Sequence, residues 1–412
     1  MPASTDAGTS ALTERIKNEE QAARPQVLAW RRALHAAPEV AWEEHATTEL
    51  VCEALGSMGV PFERPLATGC VATIRGGAAD AYGPDGSSRR RLLMRADIDA
   101  LPVSEQTGLA CSSRNDGCMH ACGHDIHAAA LLGVAQCLAA LTDELHGEVR
   151  LVFQPAEEVS EGAVAMVRAG VCDGVDAAYG MHVWSDVPGG RVNVEAGPRM
   201  ANTDWFRVDV RGASAHGAMP HLGTDAIVAA AAVVQAIQTV ASRVVSPFEP
   251  VVVTVGQIQG GTANNVICDH VWMRGTIRCF DENEHARILS SMEKIVGRVA
   301  AAHGCEGTFA LEGTGSVAVV NDEACATLCA ESARKVLGAD ALAPYEGSMP
   351  GEDFSEYLRE VPGVFAFVGA GTADADGIVW PQHSAHYSPS EDALRVGVLL
   401  GTQFAIDFLS QP

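Results

Sequence analysis

One short segment, residues 119–127, combines a thiol, three imidazoles and a carboxylate, a high density of side chains that bind metals. Within it, Cys122 and His124 are separated only by Gly123, so both side chains can turn toward one point, as coordination of a first-row divalent metal requires. Taken singly, each residue is more simply explained as a buried cysteine or a histidine at a helix start. The cluster as a whole predicts a metal site.

Further polar residues stand where apolar runs end, the position at which α/β sheets bind ligands. Glu157 and Glu158 follow the apolar run 149–153, His182 ends another apolar run, and His383 lies in a turn-like stretch before the last helical segment. Adjacent carboxylates point apart, so one can bind a cation while the other takes a proton from a water molecule acidified by that cation. Each residue alone is more often solvated or hydrogen-bonded in a loop.

Together these donors include soft, borderline and hard atoms, enough for two divalent ions that share a ligand and a water molecule. Zinc, manganese, cobalt and nickel all accept such a mixture. The candidate metal ligands are Cys122, His124, Glu158, His182 and His383.

Two glycine-containing segments, residues 212–220 and 260–267, have the composition of loops that expose a polar side chain. Ordinary turn formation also explains their Gly, Asn and Pro residues. Spacing alone slightly favours that simpler explanation.

Composition limits the class of protein. A chain of 412 residues with 47% hydrophobic residues is expected to form two domains. Its net charge of −24 argues against nucleic acid or an anionic membrane surface as a partner. The first ten residues lack the features of a secretory signal, and the twelve cysteines are scattered through apolar segments as reduced core thiols would be. We therefore expect a cytoplasmic protein without a membrane span.

The positions of the functional residues depend on a predicted α/β catalytic domain, with helices around a mixed, mostly parallel sheet. Its first helical stretch covers residues 10–58 and should be broken near Pro25 and Pro38. The predicted strands are 70–74, 92–96, 149–153, 177–182 and 364–369, and the predicted later helices are 125–141, 323–337 and 391–409.

Between the two parts of this domain the pattern changes to β-α-β-β-α-β. That order predicts an inserted ferredoxin-like α+β domain. Its predicted strands are 205–210, 251–258, 271–278 and 308–311, with helices at 225–242 and 284–302. The expected organisation is a discontinuous catalytic domain, residues 1–198 and 315–412, and an insert of residues 199–314.

Over nearly its whole length the chain resembles the zinc-dependent aminoacylase and carboxypeptidase family. It is most similar to the branch of hippurate hydrolases and indole-acetyl-amino-acid amidohydrolases. Four segments carry this resemblance, with two supporting matches. The four are residues 95–102, 119–127, 153–158 and 260–267, and the supporting matches are 351–355 and 383–387.

The resemblance implies roles for individual residues. The five candidate ligands fall on the family's metal ligands, with Cys122 expected to bridge two divalent ions in each subunit. Glu157 falls on the general base, and Asp99 on a carboxylate that orients a group beside the metal. Asp97 stands where other branches have a metal-binding histidine. In this branch a proline usually follows two residues after the last ligand; here His386 lies nearby and could compete with His383.

Three residues of the insert also acquire roles through the resemblance. In family dimers, the histidine matched by His216 reaches the neighbouring subunit's site and stabilises the oxyanion. Asn265 and Arg278 fall on contacts to the substrate carboxylate. The insert would then be a dimerisation and lid domain, and a homodimer is expected.

The implied activity is cleavage of the amide bond of N-acyl amino acids, hippurate-like or indole-acetyl-amino-acid-like, by a metal-activated water with Glu157 as base. A dipeptidase or aminopeptidase of the same family is the nearest alternative. A hydrolase that uses Cys122 as nucleophile, or a non-catalytic metal-binding protein, also stays open.

Overall fold

The computed structural model describes residues 5–374 and 376–411. They form two compact units. The first comprises the chain up to Arg199, then Val320–Glu346, then the chain from Asp353 onward; the second comprises Met200–Val319 and Gly347–Glu352. The sequence assigned residues 347–352 to the catalytic domain. In the structure they join the second unit, where the backbone N–H of Ala201 donates to the carbonyl of Ser348 at 3.1 Å.

The elements follow one another in three groups along the chain. The first group is α1 (Thr5–Ala36), α2 (His45–Ser57), β1 (Phe62–Glu63), β2 (Cys70–Arg75), β3 (Arg91–Asp97), α3 (His124–Ala140), β4 (Glu148–Gln154), α4 (Gly162–Arg168), β5 (Ala177–Trp184), β6 (Val192–Asn193) and β7 (Gly197–Met200). The second is β8 (Thr203–Arg211), α5 (Ala226–Thr239), β9 (Val251–Gly260), β10 (His270–Cys279), α6 (Glu282–Ala302) and β11 (Glu306–Ser316). The third is β12 (Val319–Asn321), α7 (Glu323–Leu337), α8 (Ser355–Glu360), β13 (Gly363–Gly369) and α9 (Asp392–Leu409).

The first unit is built on a seven-stranded mixed sheet with the order β1-β2-β4-β3-β5-β13-β6. Its central strands β4, β3, β5 and β13 are parallel, whereas β1, β2 and β6 pair antiparallel to their neighbours. The prediction of a mostly parallel sheet is therefore correct only for the centre. The reason is local: no helix lies between β2 and β3, and a parallel connection needs a crossover of that kind.

The predicted helix break at Pro25 is wrong. Helix α1 continues through Pro25 and ends at Ala36, ahead of Pro38. Proline removes one backbone donor, but α1 packs along α3 and α9 and buries Ile16 and Leu34 almost completely, which compensates for that loss. Pro38 does disfavour helical geometry in the residue before it, as predicted.

The second unit has the predicted order β-α-β-β-α-β. Its sheet is antiparallel, with the strand order β11-β8-β10-β9, so β11 and β9 form its two edges. Phe206 and Met273 on the sheet and Val233 and Met292 on α5 and α6 are fully buried in one core. Among the described residues, the helical stretch Ala226–Val244 has a length and apolar composition that could cross a membrane, and only about a quarter of that stretch (28%) is buried.

Candidate active site

Asp99 connects two parts of the candidate site. It lies just beyond the end of β3 and is fully buried. One carboxylate oxygen lies 3.3 Å from Nδ1 of His124, and the other accepts the backbone N–H of Glu158 at 3.0 Å. Donation from Nδ1 directs the opposite nitrogen of His124 into the site. This geometry is what the orienting role expected for Asp99 requires.

The turn before α3 brings Cys122 and His124 to the same point. Gly123 has φ = +92°, a conformation that L side chains rarely adopt, and a Cβ there would lie 2.4 Å from Val183. Both functional side chains are buried, and Sγ of Cys122 lies 3.4 Å from Nε2 of His182. The glycine between the two donors is therefore a requirement of this turn.

A tight segment after β4 presents the two adjacent glutamates. Ala156 has φ = +55°, and its N–H is held at 2.8 Å by the buried carboxylate of Glu44. Nε2 of His124 lies 3.9 Å from Oε2 of Glu157 and 3.9 Å from Oε1 of Glu158. Both carboxylates therefore border the same imidazole nitrogen.

His182 lies inside β5 rather than at its end, because the strand continues to Trp184. Its Nδ1 donates to the carbonyl of Val183 at 2.8 Å, which leaves Nε2 as the atom that faces Cys122.

The C-terminal part of the first unit contributes His383. Its φ of +66° is held by a hydrogen bond from its N–H to the carbonyl of Ala121 at 2.8 Å, and its Nε2 lies 3.6 Å from Oε2 of Glu158. His386 is directed elsewhere, with Nδ1 at 3.1 Å from the carbonyl of Gln106 and its ring against Trp380. The structure thus brings His383, rather than His386, to the candidate ligands.

Two donor groups share one thiol. In each group, one ligand atom from every member lies within 4.8 Å of the others. The groups are Cys122, His124 and His182, and Cys122, Glu158 and His383. Within the described part of the chain, the buried Nε2 of His124 has no hydrogen-bond partner, a costly state that a bound cation would relieve. Thiolate, imidazole and carboxylate donors in these two groups are of the kinds that could hold divalent ions.

The pKa shifts of Cys122 and His124 bear on the alternative of a cysteine nucleophile. Burial and the negative charge of Glu158 raise the pKa of the Cys122 thiol well above its ordinary value. Burial alone would lower the pKa of His124, but Asp97 and Asp99 outweigh it and raise that pKa. A nucleophilic cysteine needs a lowered thiol pKa, so this environment argues against the Cys122 nucleophile. A bound cation would instead convert the thiol to a ligand thiolate.

Two residues beside this cluster, Arg95 and His127, were not among the predicted residues of the metal site. The guanidinium of Arg95 donates to Asp97 at 2.7 Å, and Nδ1 of His127 lies 2.6 Å from the other oxygen of Asp97. Each oxygen of Asp97 thus already has a hydrogen-bond partner, Arg95 for one and His127 for the other. The spacing of three between His124 and His127, which puts both on one face of a helix, was the sequence signal for this arrangement.

In the second unit, the loops that carry His216 and Asn265 are brought together. His216 forms a β-bridge with Val266, and the N–H of Gly217 donates to the carbonyl of Asn265 at 2.7 Å. The side chains of His216 and Asn265 are exposed. Arg278 is not part of this cluster. It is half-buried near the opposite end of β10, and burial lowers the pKa of its guanidinium.

Comparison with known proteins decides the family. Residues 93–407 match the model of peptidase family M20/M25/M40. The chain belongs to this peptidase family. It is 35% identical over 404 residues to thermostable carboxypeptidase 2 of Saccharolobus solfataricus, covering 96% of this chain and 99% of that one. It is 42% identical over 298 residues to an N-acyl-L-amino acid amidohydrolase of Geobacillus stearothermophilus, covering 72% and 78% respectively.

A solved structure is also similar to this M20-family chain. The Bacillus subtilis YXEP protein, described as a dinuclear metal-binding peptidase of the M20 family, superposes with a TM-score of 0.81 at 32% identity, covering 94% of this chain and 99% of that one. The family resemblance read from the sequence is confirmed. The M20-family chain is thus a metal-dependent amidohydrolase with an α/β fold, and its clustered donor residues could hold divalent metals.

Proposed function

We propose that this protein hydrolyses the amide bond of N-acyl amino acids with two divalent ions held by Cys122, His124, Glu158, His182 and His383. The observation that carries the proposal is the pair of donor groups joined at Cys122, with the additional carboxylate of Glu157 at 3.9 Å from Nε2 of His124. A structural metal site needs no such extra acid, whereas hydrolysis needs a base. The amidohydrolase of Geobacillus stearothermophilus supplies the substrate class by similarity.

Each residue then has a chemical task. Divalent ions bound at the two groups would acidify a water molecule and polarise the substrate carbonyl. Glu157 takes the proton of the attacking water and returns it to the amine that leaves. Arg278 binds the carboxylate of the amino acid, because a guanidinium matches the geometry of a carboxylate and so fixes the scissile bond.

His216 is suited to stabilise the oxyanion. Its Nδ1 accepts the backbone N–H of Ala218 at 3.0 Å, so in the neutral ring Nε2 carries the proton and is the exposed donor. A donor of this kind can stabilise negative charge that develops on the carbonyl oxygen.

We further propose that two subunits complete each site. Arg278 pairs with Val252, whereas Val271 pairs with Gly260, where the loop that carries Asn265 begins. Seven residues of extended strand, about 24 Å, separate these two ends. One small substrate cannot span that distance. Arg278 and Asn265 can therefore contact the same carboxylate only if they come from different subunits.

The surface that would join the subunits is the edge formed by β9 and α5. Among the described residues, β9 has a neighbouring strand on one side only, and its Ile258 is 54% exposed. Ile227 and Val228 on α5 are also about half exposed, and Ile227 lies beside Gly261 at the end of β9. An open strand edge next to apolar side chains favours pairing with a second copy.

A charge on this edge is expected to separate the subunits. Ile258→Glu should give a monomer in light scattering and lower the rate of hydrolysis by at least about tenfold, because oxyanion stabilisation from the partner subunit is lost. Leu311→Glu is the matched control, since Leu311 is 45% exposed on β11 at the opposite edge. An active Ile258→Glu monomer would contradict the shared site.

Mixing two inactive variants gives a second test. Glu157→Gln and His216→Ala homodimers, dissociated and reassociated together, should regain about a quarter of the wild-type rate. Half of the dimers formed are then mixed, and each contains one site with both residues intact. If His216 acted within its own subunit, no site would be complete and no activity would return.

The substrate class is tested by restoring metal to the metal-free protein. Hippurate, acetyl-methionine, indole-acetyl-alanine and free dipeptides are assayed with zinc, manganese, cobalt or nickel. Metal-restored cleavage of the acylated amino acids is the expected result. Cleavage restricted to dipeptides would move the assignment to the peptidase alternative, and activity indifferent to metal would support the Cys122 nucleophile.

We also propose a cytoplasmic location. All twelve cysteines are free of disulfides, including the buried Cys52 and Cys70, as a reducing compartment would maintain them.

A further inference from the structure

Asp97 lies at the end of β3, next to the candidate ligands, and the proposed function does not count it among them. Its two oxygens are committed to Arg95 and His127. Arg95 is itself fixed, because Nη2 donates to Asp353 at 2.8 Å and Nε donates to Gln154 at 2.8 Å. The three side chains of Arg95, Asp97 and His127 are fully buried. These hydrogen bonds between charged side chains fix the position of Asp97, and Asp97 in turn can fix the side chain that it contacts.

The group that is held is the ring of His127. Its Nε2 accepts the backbone N–H of Val183 at 2.9 Å. A peptide nitrogen can only donate, so Nε2 must be unprotonated and Nδ1 must carry the proton that Asp97 accepts. Asp97 therefore fixes the tautomer of His127, and that tautomer is the one able to hold the Val183 peptide.

The backbone of Val183 contacts one candidate ligand, His182, and the residue that precedes another, His383. Its carbonyl accepts Nδ1 of His182 at 2.8 Å and the amide of Gln382 at 3.1 Å, and Gln382 immediately precedes His383. The ring of His127 also packs edge-on against that of His182, with centroids 4.5 Å apart. The N–H and the carbonyl of Val183 lie on either side of its Cα, so a shift of the Val183 backbone would move the hydrogen bonds that orient His182 and Gln382.

We infer that Asp97 and His127 are positioning residues of the metal centre, which fix the backbone of Val183 and, through its carbonyl and the packing of the two rings, the ring of His182. The chain of contacts runs from Arg95 to Asp97, to His127, to the backbone of Val183, and then to His182. This inference rests on the proposed function, because it assigns His182 to the ion that Cys122 and His124 also bind. It gives Asp97 a task in this chain that does not require contact with the ion.

The test compares substitutions of His127 that keep either its hydrogen bond to Asp97 or its hydrogen bond from the N–H of Val183. Asparagine at this position reaches Asp97 but is too short to accept the N–H of Val183, so His127→Asn should lose the hydrogen bond from Val183. Glutamine reaches farther, so His127→Gln should preserve the hydrogen bond from Val183 better. Asp97→Asn offers an amide N–H to Nδ1 and so favours the wrong tautomer of His127. Ser332→Ala is the matched control: it removes a buried hydrogen bond, to Asp407, between α7 and α9.

Cobalt(II) serves as the probe for all four variants and for the wild type. Affinity for each of the two ions is measured by competition with a chromophoric chelator, and the visible spectrum reports the ligand geometry. In His127→Asn and Asp97→Asn, one ion should bind about 10–100-fold more weakly, with a changed cobalt spectrum, because outer contacts of this kind contribute that much. His127→Gln should lose less, and Ser332→Ala should match the wild type.

Unchanged affinity and spectrum in both His127→Asn and Asp97→Asn would overturn the inference. An equal loss of affinity for both ions, seen in these variants and in Ser332→Ala alike, would also overturn it, because that pattern indicates general destabilisation of the protein. If the wild type binds two ions and the variants bind them with the same affinity and spectrum, the inference fails but the proposed function stands. A wild-type protein that binds no ion contradicts both.

Discussion

Glu157→Gln is expected to lower kcat by about 10²–10⁴-fold while both divalent ions stay bound. Glutamine keeps the size and the hydrogen-bonding oxygen of Glu157 but cannot accept the proton of the attacking water. Glu157 lies near His124 and Glu158 but in neither of the two groups that share Cys122. Because the proposed function makes it the base and not a ligand, its loss should leave metal binding unchanged. Steady-state rates and metal content of the same preparation check the two halves of this prediction.

Glu158→Gln is the informative comparison, because Glu158 is the adjacent residue and belongs to the group with Cys122 and His383. This variant should lose metal as well as rate. If Glu157→Gln instead lost an ion, or kept its turnover, the division of labour between the two glutamates would be wrong. The KM of Glu157→Gln should change little, since this carboxylate is not expected to bind the substrate in its ground state.

Cys122→Ser is expected to weaken binding of both ions by more than about 100-fold, beyond the loss that follows from removing an outer partner of a ligand. The reason is geometric: Cys122 is a member of both donor groups, one with His124 and His182 and the other with Glu158 and His383. A serine hydroxyl is shorter and is not a thiolate. Metal titration with the chelator and hydrolysis at saturating metal measure the effect.

His182→Ala distinguishes the loss of a ligand shared by two ions from the loss of a ligand to one ion, because His182 belongs to one group alone. It should weaken one ion and leave the other close to its wild-type affinity. Cys118→Ser controls for removal of a thiol from the same segment, since Cys118 is partly buried and in neither group. Cys122→Ser with only one ion weakened would show that the thiol does not bridge.

Much of the fold followed from local signals in the sequence. The pattern of apolar residues correctly predicted the central strands β3, β4 and β5 and the order of elements in the second unit, because burial of one face imposes a period on each element. The short elements α4 and α8 were missed, since one or two helical turns give too little periodicity. Pro25 was misread because the packing of α1, and not its local preference, keeps that helix intact.

The candidate site divides in the same way. The sequence by itself determined which donors exist, because Cys122, His124 and the pair Glu157 and Glu158 have the types and spacing that metal chemistry requires, and the family comparison bears out a metal-dependent hydrolase. Tertiary structure alone decided that His383 rather than His386 faces Glu158. It also decided that Asp97 holds His127. Chain spacing fixes what a segment can reach, but residues hundreds of positions apart meet only after the sheet has set the direction and register of every strand.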